Sequence, residues 1–308
     1  MEHLEDDAKF EQLVHTLDPQ SKLLRTWGLT GGVSAQVTAI EVEVPGGMTQ
    51  KMVVRRHGAI DLRRNPNIAA DEFKLLQIVR SAGLPAPAPL YFDRSGEIFA
   101  TPFVVLEYIE GQSEFSPPDL EGYLVELARQ LSALHNADFS EFDLSFLPKQ
   151  DEIYTEKFRV RPAKLDYSLG EGRIRDVLEA AWPFPERNAP VLLHGDYWPG
   201  NILWEDGRLV GLIDWEDSHV GDPLADLAIS RLEILWAFGT DAMDNFTEQY
   251  KALSHLNFAS MPYWDLCAAL RPAFRIADWA GDPVREKDMR EKHRWFVTRS
   301  LEALSILP

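Results

Sequence analysis

The sequence contains a single cysteine, Cys267, so no disulfide can form within the chain and its 308 residues depend on an apolar core. Cys267 lies between Leu266 and Ala268, the setting of a small buried hydrophobe rather than of a nucleophile. Long apolar runs are missing too: none approaches the roughly 20 residues of a membrane helix. The opening MEHLEDD is acidic and has no apolar stretch of the kind a secretory signal needs. A cytoplasmic protein without a membrane partner is therefore expected. Basic residues are scarce, with 31 Lys and Arg against 49 Asp and Glu and a formal net charge of −18. That balance argues against nucleic acid, whose phosphates need clustered Lys and Arg. The excess is uneven. Residues 1–110 hold 11 basic and 15 acidic residues, and the remainder holds 20 and 34. Such a surface either serves solubility or attracts a cationic small molecule. Neither an internal repeat nor a low-complexity segment is present.

What is present begins with a helical pattern over residues 8–24, where Phe10, Leu13, Val14 and Leu17 recur. Ile40, Val42 and Val44 alternate with Glu41 and Glu43 as in a half-buried strand; Pro45-Gly46-Gly47 turns the chain, and 52–56 returns as a second strand. Residues 68–80 read as a helix with Leu75, Leu76 and Val79 on its apolar stripe and Glu72 on or beside it. A buried carboxylate is costly unless paired, and Arg55 on the preceding strand is the natural partner. After a Pro-rich connector, residues 98–109 read as one or two strands. Beyond Gly111 the pattern is mostly helical. Leu120, Tyr123, Leu124, Leu127, Ala128, Leu131 and Leu134 form one stripe that ends near His135. Asp222-Pro223 marks a helix start, and 264–270 and 295–304 are further helices.

The most informative segment is HGDYWPGNILWEDGRLVGLIDWED, His194 to Asp217. Two apolar runs flank Asp206-Gly207, a strong hairpin signal. Centring the turn there places Asn201 opposite Leu212 and Asp214 two residues further on, so Asn201 and Asp214 share a face as diagonal neighbours, roughly 7–8 Å apart. Two such oxygen-bearing side chains suit Mg²⁺, which takes one or two protein carboxylates beside waters and phosphates. Asp196, five residues before Asn201, adds a carboxylate able to accept the proton of an attacking hydroxyl.

HGDxxxxN followed by IDW, with GDPLADLA at Gly221 to Ala228, resembles the motifs of the aminoglycoside phosphotransferase and choline kinase group. The resemblance implies an α+β, bilobal protein-kinase-like fold. An N-terminal nucleotide-binding lobe with an antiparallel sheet and a helix would span 1–110, and a larger, mostly helical lobe 111–308. It implies a Mg²⁺-dependent kinase that moves the γ-phosphoryl of ATP or GTP to a hydroxyl of a small molecule, with an aminoglycoside or another amine-bearing acceptor in view. Asp196 takes the place of the base, and Asn201 and Asp214 those of the metal ligands. Arg55 and Glu72 take the places of the phosphate-binding lysine and its glutamate; arginine departs from the protein-kinase pattern and leaves ATP against GTP open. Gly32 and Ser34 fall where kinases place a glycine loop, although GxGxxGxV is absent. Glu107 and Ile109 fall at the hinge that meets adenine through its main chain. His194 and Asp226 are read as supports of the loop. Glu216, Asp217 and Asp278 are candidates for the acceptor site.

Two other readings fit parts of the pattern. A nucleotide-binding module without turnover would accommodate the atypical glycine loop and Arg55. A metal-dependent hydrolase built on Asp196, His194 and Asp214 would want more His or carboxylate ligands than this stretch offers.

Overall fold

Helix α1 (Glu2–Leu17) buries Phe10, Leu13 and Val14 and ends where Asp18 turns the chain, its carboxylate accepting from the Gln20 N–H at 3.0 Å. The helix stops short of the expected residue 24 because Pro19 has no N–H with which to continue it. Residues Lys22–Gly28 instead form β1, an unforeseen edge strand. β2 (Ala35–Glu43) and β3 (Thr49–His57) pair antiparallel across the predicted Gly46-Gly47 turn, both glycines having positive φ. Helices α2 (Ala59–Arg64) and α3 (Ile68–Ser81) follow, then β4 (Pro89–Asp93) and β5 (Phe103–Glu107). The five strands form one antiparallel sheet in the order β1-β2-β3-β5-β4. Of the expected 98–109 stretch only β5 joins the sheet; Ile98 and Phe99 leave it and pack with Phe10, Leu13, Ile40, Val54 and Phe103 in a core between α1 and the sheet. β4 hides in the Pro-rich connector, because a proline is tolerated at the first residue of an edge strand.

The computed structural model describes residues 2–29 and 35–306. Gly32 and Ser34 therefore lie outside the described residues. The chain divides into one unit of Met1–Gly111 with Val210–Glu216 and another of Gln112–Leu209 with Asp217–Pro308. The sequence reading assigned all of 111–308 to one lobe, whereas Val210–Glu216 groups with the first unit.

The second unit begins with α4 (Leu120–Asn136), whose stripe buries Tyr123, Leu124, Leu127, Leu131 and Leu134 as expected, while Leu120 is exposed. Asp119 caps it, accepting from the Gly122 N–H at 3.0 Å. There follow α5 (Gln150–Arg159), α6 (Glu171–Ala181) and β6 (Val191–Leu193). A hairpin comes next, of β7 (Ile202–Glu205) and β8 (Arg208–Leu212). Asp206 and Gly207 both take positive φ, as a two-residue primed turn requires. β9 (His219–Gly221) pairs with β6, and α7 (Leu224–Phe238) follows, buried over most of its length. The remaining helices are α8 (Thr240–Ala252), α9 (Met261–Ala269), α10 (Ile276–Ala280) and α11 (Pro283–Ile306). Cys267 is buried in α9, and burial pushes its thiol up to about 12, as befits a packing residue. No described helix is long and apolar enough to cross a membrane.

Candidate active site

Side chains two apart on a strand share a face, and on β3 that alternation carries Arg55 and His57 to the same carboxylate. Arg55 Nη1 lies 3.4 Å from Glu72 Oε1 and His57 Nε2 lies 3.2 Å from Glu72 Oε2. The expected Arg55–Glu72 pair is thus present, and His57 is an addition the sequence reading missed. Burial pushes the Glu72 carboxyl up, but Arg55 and His57 outweigh it and hold it below the ordinary range. Arg55 has two further partners in the same unit. Its Nη2 lies 2.8 Å from Asp214 Oδ1 and also meets the Glu216 carboxylate. Burial works against the charge of Arg55, but Glu72, Asp214 and Glu216 more than restore it and lock the guanidinium in its protonated form.

Asp214 sits beyond the end of β8, with φ of 66°. β8 stops at Leu212, short of the expected strand through Asp214, because the Leu212 N–H turns to Pro85 O at 2.6 Å. Trp215, buried, donates its indole N–H to Leu212 O at 2.8 Å and pins the turn that aims Asp214. Asp214 Oδ1 is buried and meets Arg55 as an ion pair without an aligned hydrogen bond, so it keeps a lone pair of the kind a hard cation takes. Glu216, expected at the acceptor mouth, has its carboxylate held by Arg55. Glu107 is exposed; its carboxylate takes Arg80 at 3.2 Å, and its N–H donates to Ala88 O at 2.8 Å. Ile109 is half-buried just past the strand.

In the second unit the loop after β6 is fastened from below. Asp226 of α7, fully buried, accepts from the N–H groups of His194 at 2.7 Å and Gly195 at 2.8 Å. Burial pushes the Asp226 carboxyl up, and His135, whose Nε2 is 3.3 Å away, leads the contacts that bring it below the ordinary range. Gly195 has φ of +83°, and a Cβ there would stand 2.1 Å from the carbonyl oxygen of Asp217, so only glycine fits. His194 turns Nδ1 toward the Asp196 N–H at 3.3 Å, a supporting role as expected. Tyr197 is buried and donates its hydroxyl to Leu127 O at 2.8 Å.

This anchored loop presents Asp196 and Asn201 together. Asn201 Nδ2 donates to Asp196 Oδ2 at 2.9 Å and to its carbonyl at 3.0 Å, which leaves the amide oxygen of Asn201 as its remaining donor to a cation. Asp196 Oδ1 takes Arg271 Nη2 at 2.5 Å. Arg271 was not singled out from sequence, although a lone charge in the apolar stretch CAALRPAF called for a partner. Glu233, on α7 and half-buried, was also missed. Burial, opposed by Arg271 and assisted by Asp196, raises its carboxyl to about 7. Asp217 and Asp278 are exposed, the latter on α10.

The arrangement is that of a carboxylate and a carboxamide on a rigid loop in one unit, and of a charge-paired arginine beside a second carboxylate in the other. Comparison with known sequences decides the family: the sequence model of the phosphotransferase enzyme family matches residues 28–270. The chain belongs to that family. Acyl-CoA dehydrogenase family member 10 of Mus musculus is 26% identical over 199 residues, covering 59% of this chain and 18% of that protein. The chain therefore spans only a small part of that relative. Homoserine kinase of Phenylobacterium zucineum is 28% identical over 240 residues, 70% of each. Among solved structures, the aminoglycoside phosphotransferase APH(4)-Ia, as a thermostable variant with AMP-PNP and hygromycin B, superposes with a TM-score of 0.60 at 17% identity, covering 94% of this chain and 98% of that one. Its likeness establishes the fold, α+β and protein-kinase-like, with an antiparallel N-terminal sheet and a helical C-terminal region.

Proposed function

We propose that the protein is a Mg²⁺-dependent small-molecule kinase that transfers the γ-phosphoryl of ATP or GTP to an alcohol. The observation that carries this reading is the Asp196–Asn201 bond on a loop fastened by Asp226. It gives Asp196 a fixed direction and orients the amide oxygen of Asn201. Asp196 positions the acceptor hydroxyl and accepts its proton as the acceptor oxygen bonds to the γ-phosphorus. The bond from the γ-phosphorus to the bridging oxygen breaks, and the nucleoside diphosphate leaves with that electron pair. Asn201 and Asp214 offer the hard oxygen donors that Mg²⁺ prefers, and the bound ion would neutralise charge on the phosphates. Arg55, steadied by Glu72 and His57, contacts the phosphates. Catalysis of this type is largely positioning and charge stabilisation.

Nucleotide use is supported by the AMP-PNP complex of the structural relative, and a hydroxyl acceptor by the homoserine kinase relative. Glu107 and Ile109 remain the proposed hinge contacts to adenine, and a cytoplasmic setting accords with the absence of a membrane-crossing helix among the described residues. The acidic excess beyond Glu110 favours a cationic acceptor only at long range, which salt screens over about 8 Å. The charges next to Asp196 bear more directly on the acceptor and are taken up below.

The test is nucleoside diphosphate release with Mg²⁺ and either ATP or GTP across hydroxyl acceptors of each charge, for the wild type and Asp196→Ala. Acceptor-stimulated release that vanishes in the variant supports the reading. Nucleotide hydrolysis that no acceptor stimulates would replace it with a hydrolase, and binding without turnover with a non-catalytic module.

A further inference from the structure

Arg271 follows α9 and reaches the carboxylate read above as the acceptor-positioning group, 75 residues earlier in the chain. The contact is short, 2.5 Å from Nη2 to Asp196 Oδ1, while Asn201 occupies Oδ2 at 2.9 Å. Any hydroxyl that reaches Asp196 therefore arrives beside the Arg271 guanidinium. A guanidinium carries five N–H donors in a planar fork suited to carboxylate and phosphate. Among the described residues Asp196 is the one group to which the Arg271 guanidinium donates, and a quarter of its side chain, 26%, is exposed. Donors remain for a ligand next to the reacting oxygen.

The surrounding charges do not cancel this guanidinium. Burial works against its charge, and Asp196, Glu233 and Asp217 together hold it protonated. Of those carboxyls, Glu233 is raised to about 7 and so gives up much of its negative charge near neutral pH. Asp217 is exposed and screened. Arg285 acts on Glu233, and Lys157 lies near enough to Arg271 for the two cations to repel. A cationic substituent beside the reacting hydroxyl would meet this arginine head-on.

We propose that Arg271 is a specificity-determining residue that selects hydroxyl acceptors bearing an anionic group, a carboxylate or a phosphate, close to the reacting hydroxyl. The proposal rests on Asp196 being the acceptor-binding carboxylate. In the ligand-free protein Arg271 is the counter-ion of Asp196; with acceptor bound, the fork shares its remaining N–H groups with the acceptor's anion.

The experiment measures calorimetric binding to the wild type, Arg271→Gln and Arg271→Lys in the presence of Mg²⁺ and AMP-PNP. The ligands are matched pairs that differ in charge: 3-hydroxybutanoate with its methyl ester, glycerate with its methyl ester, and glycerol 3-phosphate with glycerol. Choline and kanamycin serve as cationic probes. The wild type is expected to bind at least one anion about tenfold or more tightly than its uncharged partner, the scale of a charge-assisted hydrogen-bonded contact. Whether the carboxylate pairs or the phosphate pair shows the preference identifies the anion. Arg271→Gln should reduce it to within about threefold, and Arg271→Lys should keep part of it. Equal binding within every pair, tighter binding of the cations, or a preference unchanged in Arg271→Gln overturns the proposal. Acceptor-dependent turnover, measured separately, tests the kinase reading, so a kinase that shows no anion preference would sink this inference alone.

Discussion

Asn201 Nδ2 lies 2.9 Å from Asp196 Oδ2 and 3.0 Å from the Asp196 carbonyl, so a single side chain both orients the carboxylate and closes the loop that carries it. Removing the carboxylate should leave the loop's anchors to Asp226 in place. Asp196→Ala is expected to lower kcat by roughly 10²–10⁴-fold, the usual contribution of a positioned base, with nucleotide affinity nearly unchanged. Single-turnover kinetics and calorimetry check both halves. A variant that keeps a tenth of wild-type kcat removes Asp196 from the role.

The proposed metal-binding role of Asp214 and Asn201 can be read from nucleotide binding. Asp214→Ala and Asn201→Ala are expected to weaken Mg²⁺-dependent nucleotide affinity, Asp214→Ala more because it supplies a full charge. Titrations with and without Mg²⁺ separate this from a general folding defect. Unchanged affinity and activity in Asp214→Ala would mean that this carboxylate holds no ion.

Arg55, Glu72 and Glu216 form one charge network, with Arg55 bound to both carboxylates. Arg55→Ala and Glu72→Ala should each raise KM for nucleotide, and the double variant should lose less than the sum, with a coupling of roughly 0.5–3 kcal/mol. Glu216→Gln should also raise KM for nucleotide more than KM for acceptor. A double-mutant cycle that closes additively would show that the pair does not act as a unit.

Gly195→Ala puts a methyl group where the Asp217 carbonyl oxygen would be 2.1 Å away, at a φ of +83° that side chains rarely adopt. A loss of activity of at least about tenfold is expected, with a Tm several degrees lower, in the range of other core-clash substitutions, of order 1–3 kcal/mol. Circular dichroism melts and kcat measurements report the two effects.

Glu233 is raised from 4.5 to about 7 by burial. Between those values the folded state holds a proton that the unfolded chain releases, so the residue's contribution declines as pH rises from 4.5 and is fully unfavourable above about 7. Glu233→Gln should therefore match the wild type near pH 4.5 and gain stability above pH 7, by an amount of order 1–3 kcal/mol. Denaturant melts at the two pH values measure it; equal differences at both would show that Glu233 does not titrate in this range.

The sequence by itself determined the local parts of this protein. Alternation marked β2, the Pro45-Gly46-Gly47 turn brought the chain back as β3, the Asp206-Gly207 pair signalled a two-residue hairpin turn, and Asp222-Pro223 opened α7. These signals depend on backbone preferences and on neighbours a few residues apart, which a linear reading contains. Glu72 was found as well, because a carboxylate on an apolar stripe demands a cation and Arg55 stood on the preceding strand. Strands β1 and β4 escaped, one behind a proline that ended the preceding helix early and one inside a proline-rich connector. Tertiary structure alone decided the rest. In one unit it placed Glu216 on Arg55; in the other it joined Arg271 to Asp196 across 75 positions and brought the half-buried Glu233 near that pair. Charge and burial at these sites come from chain segments far apart in sequence, and no local period or motif encodes which distant groups will share one small volume of low dielectric.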